Sequence, residues 1–127
     1  MNEPLLFDTH ILLWAFNDDQ RLPAKVREVL SNPEQVVLVS AVSIWEMSIK
    51  RSIGKLKLPD DFFNTLPKIK FEQLNINFTH AKSVLNLPLI HQDPFDRMLI
   101  AQANVEHLTL VTVDKDILRY DVAVFKV

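Results

Sequence analysis

The chain has 127 residues, 48% of them hydrophobic and 24% charged, with a net charge of −2. That suits one globular domain spanning 1–127 and argues against a disordered chain. With no cysteine and one glycine, a disulfide framework, a thiolate zinc site, a thiol nucleophile and a Gly-rich phosphate loop are excluded too. No apolar run approaches the ~20 residues of a membrane span. The start, Met-Asn-Glu-Pro, carries an acid and no basic leader region, so we expect a cytoplasmic protein without a signal peptide.

Leu5-Leu6-Phe7 is a short buried-strand signal that ends at Asp8. A helix is expected from Ile11 to Phe16. A second starts at Pro23, with Val26, Val29 and Leu30 on one face. Val36-Val37-Leu38-Val39 is the clearest strand. Ser40 and Ser43 offer caps for a helix that runs to Gly54, a C′ stop. A short helix over 60–67, a strand from Glu72 to Ile76 and a helix over 79–86 follow. Asp93-Pro94 opens a long helix reaching about Glu106. Leu108 to Val113 is a strand, 115–119 a helical turn, and Val122 to Phe125 a last strand.

Apolar strands separated by helices imply a mostly parallel sheet covered on both faces, a three-layer α/β/α sandwich. Ligands of such sheets bind beyond the carboxyl ends of the strands. Four carboxylates fall there. Asp8 and Asp114 each close a strand, Glu46 lies six residues after Ser40, and Asp96 opens the helix leading into the Leu108 strand.

Local structure offers each a plainer role. Asp8 and Asp114 suit helix or turn caps, Asp93 an N-cap before Pro94, and Asp96 a first-turn acid favoured by the helix dipole. Glu46 resists that account. It stands mid-helix, four residues from Val42 and three from Ile49 on an apolar stripe of Val42, Trp45, Ile49 and Ile53. Asp96 similarly shares a stripe with Leu99, Ile100 and Ala103. A carboxylate turned toward a core needs a partner or a metal.

Two carboxylates ~5 Å apart repel by roughly 3 kcal/mol at an effective dielectric of ~20. Four together must take up protons or bind a cation. All-oxygen ligands favour Mg²⁺ or Mn²⁺, and such a centre suits phosphodiester hydrolysis. The histidines lack zinc-ligand spacing. His10, two residues after Asp8, reads as a packing or substrate-contact residue, and His80, His91 and His107 as surface or structural.

Leu6-Phe7-Asp8-Thr9-His10, Ser43-Ile44-Trp45-Glu46, Asp93-Pro94-Phe95-Asp96-Arg97-Met98-Leu99-Ile100-Ala101-Gln102-Ala103 and Leu110-Val111-Thr112-Val113-Asp114 resemble, in that order, the PIN-domain family. Within it they resemble the VapC-type toxins of bacterial type II toxin–antitoxin pairs. The resemblance implies an α/β/α fold and a Mg²⁺- or Mn²⁺-dependent endoribonuclease, often acting on transfer or ribosomal RNA. It implies Asp8 and Asp96 as main metal ligands, with Glu46 and Asp114 completing the cluster directly or through water. Thr112 would stand behind them as a supporting hydroxyl. Asp93 is a rival for Asp96, and Asp116 an extra, solvated acid. A homodimer and a cognate antitoxin are also implied. The antitoxin would lie over a hydrophobic groove, for which Trp14, Phe62 and Phe63 are candidates, and could push a basic side chain toward the acids.

Two other classes compete with a nuclease. One is a catalytically silent binding module acting through an antitoxin-like partner. The other is an aspartyl-nucleophile phosphatase, which usually wants a second acid where His10 stands. Residues 50–70 hold Lys50, Arg51, Lys55, Lys57, Lys68 and Lys70 against Asp60 and Asp61, a local surplus of four positive charges on an otherwise acidic chain. Lys50, Arg51, Lys55 and Lys57 are therefore candidate RNA contacts, since phosphate contacts dominate nucleic-acid affinity. A solvated face would look the same.

Overall fold

The computed structural model describes residues 3–127. Four strands, β1 (Leu5–Phe7), β2 (Val37–Ser40), β3 (Glu72–Leu74) and β4 (Thr109–Val111), form one sheet in the order β3-β2-β1-β4. Every pairing is parallel, with Leu6 opposite Leu38 on one side and Leu110 on the other. The helices are α1 (Thr9–Phe16), α2 (Ala24–Ser31), α3 (Ala41–Ser52), the single turn α4 (Phe62–Thr65), α5 (Phe78–Ser83) and α6 (Pro94–Glu106). Tight 3₁₀ turns extend α4 and α5 and close the 117–119 segment.

The pleat sorts each strand's side chains onto the two faces. Leu6 and Leu110 are fully buried on one face, against Leu99, Ile100 and Ala103 of α6 and Ile117. Leu5, Phe7, Val37 and Val111 turn to the other, against Ile11 of α1 and Val26 of α2. A third cluster joins Leu12, Val39, Met47, Phe62 and Leu66 around α3 and α4. Helices therefore cover both faces, and the architecture is the expected three-layer sandwich.

Several boundaries differ from the expected ones, for visible reasons. The cap of α3 is Ser40, whose Oγ accepts from the Val42 amide at 3.0 Å and donates to Gln102 Oε1 at 2.6 Å. Ser43 is inside the helix and buried. β3 stops at Leu74 because the next carbonyl, of Asn75, turns toward Gln102 Nε2 at 3.4 Å, and Asn77 already caps α5. The expected last strand reduces to one parallel bridge, Leu110 with Val124. Gly54 adopts φ +75° after α3, as a helix stop requires.

Among the described residues no helix is long and apolar enough to cross a membrane. Leu6 lies on the central strand, with 0% of its surface exposed. Leu6→Ala should lower unfolding free energy by ~2–5 kcal/mol, through lost burial and a residual cavity. Urea unfolding with the slope held constant checks this, and a loss within ~0.5 kcal/mol would contradict the packing described.

Candidate active site

β1 is flanked on both sides, so the residue that follows it emerges in the middle of the sheet edge. That residue is Asp8, 3% exposed. It caps α1 through Oδ1, which accepts from the Ile11 amide at 2.8 Å. Its Oδ2 accepts from the Thr112 hydroxyl at 2.5 Å. Thr112 Oγ1 in turn accepts from the Asp114 amide at 3.0 Å, so one hydroxyl links the ends of β1 and β4. Burial pushes the Asp8 carboxyl above its ordinary range, against the pull of Thr112, Ile11 and His10, and Asp114 adds to the rise.

α3 delivers Glu46, also 3% exposed. Its inward face is Val42, Ser43, Glu46 and Met47, not the expected stripe, and Trp45 and Ile53 are 55% and 58% exposed. The polar side of α1 explains the rotation. Thr9 Oγ1 donates to Glu46 Oε1 at 2.7 Å and lies 3.0 Å from Ser43 Oγ, so α3 turns these two residues inward. Lys50 Nζ donates to Glu46 Oε2 at 2.5 Å. That bond raises the Lys50 amine, burial opposes it, and Glu46, Asp93 and Asp96 add their fields.

α6 carries the third group. Asp93 Oδ1 caps it, accepting from the Phe95 and Asp96 amides at 2.9 and 3.1 Å, with Pro94 in its first turn. Asp96 is half-buried, and its carboxyl is pushed up to about 6. Burial is the largest cause; Asp93 adds the largest charge repulsion, Asp114 and Glu46 add smaller ones, and the His91 hydrogen bond opposes them. Asp114 Oδ1 accepts from the Asp116 and Ile117 amides at 2.8 and 3.3 Å, capping the turn that follows β4.

Capping thus uses one carboxylate oxygen each of Asp8, Asp93 and Asp114. The tightest set of donors is one the sequence reading did not assemble. Donor atoms of His91, Asp93 and Asp96 lie within 4.8 Å of one another. Among the described residues no three of Asp8, Glu46, Asp96 and Asp114 close to that spacing. His91 is not a bystander: Nε2 lies 3.0 Å from Asp96 Oδ2, and Nδ1 lies 3.5 Å from Asp116 Oδ2. Burial lowers the imidazole, but Asp96, Asp116 and Asp114 outweigh it and raise His91 on balance. Its one sequence signal was its place two residues before an N-cap acid.

The other candidates separate. Lys50 belongs to the acid site. Arg51 pairs with Asp60 at 2.9 Å. Lys55 and Lys57 are exposed and make no ion pair among the described residues. Phe62 is core, 1% exposed, and Trp14 is half-buried with the Arg21 guanidinium 5.1 Å from its ring. Phe63 instead lines an apolar groove of about 470 Å³ with Ile44, Trp45, Leu66 and Phe71.

The donor set fits a hard or borderline divalent cation. It offers carboxylate oxygens with one imidazole at the rim. Burial and the neighbouring acids together push Asp96 up, and a cation beside it would favour its charged form.

A parallel α/β domain with carboxylates gathered beyond its strand ends belongs to the class whose chemistry centres on an acidic edge. Residues 5–123 match the family model of the PIN domain, and the chain belongs to that family. Its fold is also that of chains in solved complexes. One is in VapBC2 from Rickettsia felis bound to a promoter DNA fragment, with TM-score 0.73, 16% identity and 96% of each chain covered. Another is in DNA-bound VapBC from Salmonella typhimurium, with TM-score 0.72, 17% identity, and 99% of this chain and 98% of that one covered. A third is in FitAcB from Neisseria gonorrhoeae, with TM-score 0.64, 21% identity and 96% of each chain covered. No curated protein matches the sequence.

The crowding has a stability signature. A carboxyl raised on folding holds its proton to higher pH than in the unfolded chain, so stability falls as pH rises from the unfolded value toward the folded one. For Asp96 that window runs from 3.8 to about 6, and buried Asp8 acts in the same direction. A raised His91 also loses stability as pH climbs through its folded value. Metal-free protein should therefore melt at a lower temperature near pH 7.5 than near pH 5.5, and Asp96→Asn should shrink the difference. Equal melting temperatures in scanning calorimetry would contradict this account of the edge.

Proposed function

We propose that this protein is a divalent-metal-dependent endoribonuclease, the VapC-type toxin of a bacterial toxin–antitoxin pair. The observation that carries the reading is the Asp96 carboxyl, pushed up to about 6 by burial and, after it, by the fields of Asp93, Asp114 and Glu46 at the edge of the sheet. Acids buried and crowded in this way at the edge of a PIN-domain sheet would be relieved by a bound cation. Asp8, Asp96 and Asp114, with Glu46 directly or through water, would hold Mg²⁺ or Mn²⁺. When bound, that ion supplies a water of lowered pKa and positive charge toward a phosphodiester.

The chain's own residues orient the donors. Thr112 and the Ile11 amide fix the two oxygens of Asp8. Thr9 and Lys50 fix the two oxygens of Glu46, and Lys50 keeps positive charge beside the site. Exposed Lys55 and Lys57, on the segment leaving α3, would meet RNA phosphates, with Arg51 beside them. The groove under Trp45 and Phe63 is apolar, and an antitoxin segment would lie there, close to the acids through the Trp45–Phe95 contact at 5.2 Å. The protein would act as a homodimer in the cytoplasm, its whole length one nuclease domain.

Purified protein should cut total RNA into discrete fragments with Mg²⁺ or Mn²⁺ and not with EDTA. Asp96→Asn, folded by circular dichroism, should abolish cutting, as should Asp8→Asn. Parent-rate cleavage by either variant would overturn the site. No cleavage by protein free of a co-purified partner would favour the binding module.

Electrostatics at the RNA face has its own measurement. In a cleavage-inactive background, Lys55→Ala with Lys57→Ala should weaken RNA binding and reduce the slope of log K against log salt by ~1.4, two contacts at ~0.7 each on a single strand. An unchanged slope would remove these residues from the RNA path.

A further inference from the structure

The acid site has one wall without regular structure. Between the 3₁₀ turn ending at Asn86 and the start of α6 at Pro94, the chain crosses the edge of the fold as a loop. Leu89 at its crest is 90% exposed. This loop carries His91. Leu87 and Ile90 pack against the core cluster under α6, but the loop's backbone polar groups have no helix or strand partner, so an imidazole on it needs further anchoring to have a fixed place.

Two buried side chains outside the acid set hold it. Arg97 is 9% exposed and lies in the first turns of α6, where the helix dipole disfavours a cation. It follows Asp96 in sequence yet pairs with no carboxylate among the described residues. Its guanidinium spreads under the loop instead. Nη1 donates to the Pro88 carbonyl at 2.9 Å and Nη2 to the Val84 carbonyl at 3.2 Å, with the His91 and Leu87 carbonyls at 3.5 Å. Nη1 also donates to the Tyr120 hydroxyl at 3.1 Å.

Tyr120, 6% exposed, completes the clamp from the opposite end of the chain. Its hydroxyl accepts from the His91 amide at 2.9 Å and lies 3.2 Å from the His91 carbonyl, to which it donates. Both polar groups of the His91 backbone are therefore held by one phenol, and that phenol is held by Arg97. With the backbone fixed, the ring faces Asp96 and Asp116. Burying a guanidinium against neutral carbonyls is a poor way to stabilise a helix. A planar fork with five donors is a good way to fix a loop of unpaired carbonyls.

We propose that Arg97 and Tyr120 are positioning residues for the acid site: they pin the 84–91 segment so that the His91 imidazole stands beside Asp93 and Asp96 as a further donor to the bound cation. The proposal rests on the reading of the acidic edge as a cation site. The part concerning the clamp stands on the loop's geometry alone.

The test uses the full chain with Tyr120→Phe, which keeps the ring and removes the hydroxyl, and Arg97→Lys, which keeps a charge and loses the fork. Arg97→Met is the harsher form, and Tyr120→Phe keeps the test open if that variant does not fold. In metal-free protein at one pH, long-range ¹H–¹⁵N spectra read the His91 ring directly. Both conservative variants should move its resonances toward those of a solvent-exposed imidazole while the His80 resonances stay in place. Mn²⁺ binding, followed by electron paramagnetic resonance, should weaken ~10–100-fold in each. His91→Gln should weaken it comparably, and Tyr120→Phe added to His91→Gln should cost little more, since the two act through one group.

Unmoved His91 resonances in Tyr120→Phe and Arg97→Lys would overturn the clamp. Full additivity of Tyr120→Phe with His91→Gln would overturn its action through the imidazole. Wild-type protein that binds no Mn²⁺ would overturn both the donor role of His91 and the cation-site reading, while the resonance shifts still judge the clamp separately.

Discussion

A carboxylate at the end of a strand that has neighbours on both sides is buried by the sheet itself. β1 is that strand and Asp8 that carboxylate. Its burial sets the conditions for everything around it. A buried charge must be compensated, and the compensation comes from two places far apart in sequence: the first turn of α1, through the Ile11 amide, and the end of β4, through Thr112. Because Thr112 also accepts from the Asp114 amide, securing Asp8 orients the backbone that carries the next acid. The parallel register of β1 with β4 is what brings those two ends level. An antiparallel pairing would have put Thr112 and Asp114 at the far edge.

Much of this was legible from residue order. Continuous apolar strands followed at once by an acid, in a helix–strand alternation, are enough to infer a parallel sheet with acids at one edge. Asp8, Asp114 and the Asp93-Pro94 helix start lie where that logic puts them, because strand ends and helix caps are local features. The rotation of α3 was not legible. Apolarity alone favours turning Trp45 inward, but the hydroxyl of Thr9 on a neighbouring helix decides otherwise by binding Glu46 and approaching Ser43. Tertiary polar partners of this kind leave no periodic trace. His91, expected to be surface or structural, stands against Asp96 for a reason equally hidden from the sequence. It sits on an irregular segment whose course is set by Arg97 and Tyr120, and neither advertises a loop contact in the sequence.

Two cations stand close to the acids and are used in opposite ways. Lys50 reaches in from the next turn of α3 and meets Glu46 directly. It lowers the local negative charge at Glu46. Arg97, adjacent to Asp96 in sequence, turns away from every carboxylate and spends its donors on loop carbonyls. Had Arg97 paired with Asp96, its charge would have worked against the burial and the Asp93 field that together push Asp96 up to about 6. The chain therefore keeps the acid field open on the side of Asp93 and Asp96 and partly closed on the side of Glu46.

The two roles that seemed to compete for these acids prove compatible because a carboxylate has two oxygens. Asp93 gives Oδ1 to the α6 cap, Asp114 gives Oδ1 to the turn after β4, and Asp8 gives Oδ1 to the α1 cap. Each cap is a local contact that forms as its helix or turn forms, so the acid is aimed before any ligand arrives. Capping therefore does not count against a functional role here. It is how short segments at the end of a sheet give an acidic side chain a fixed direction, to which Asp8 adds the Thr112 hydroxyl. Glu46 has no cap to use and depends on Thr9 and Lys50 from opposite sides. The difference follows from position: acids at element ends are oriented by backbone amides, and an acid in mid-helix must recruit side chains.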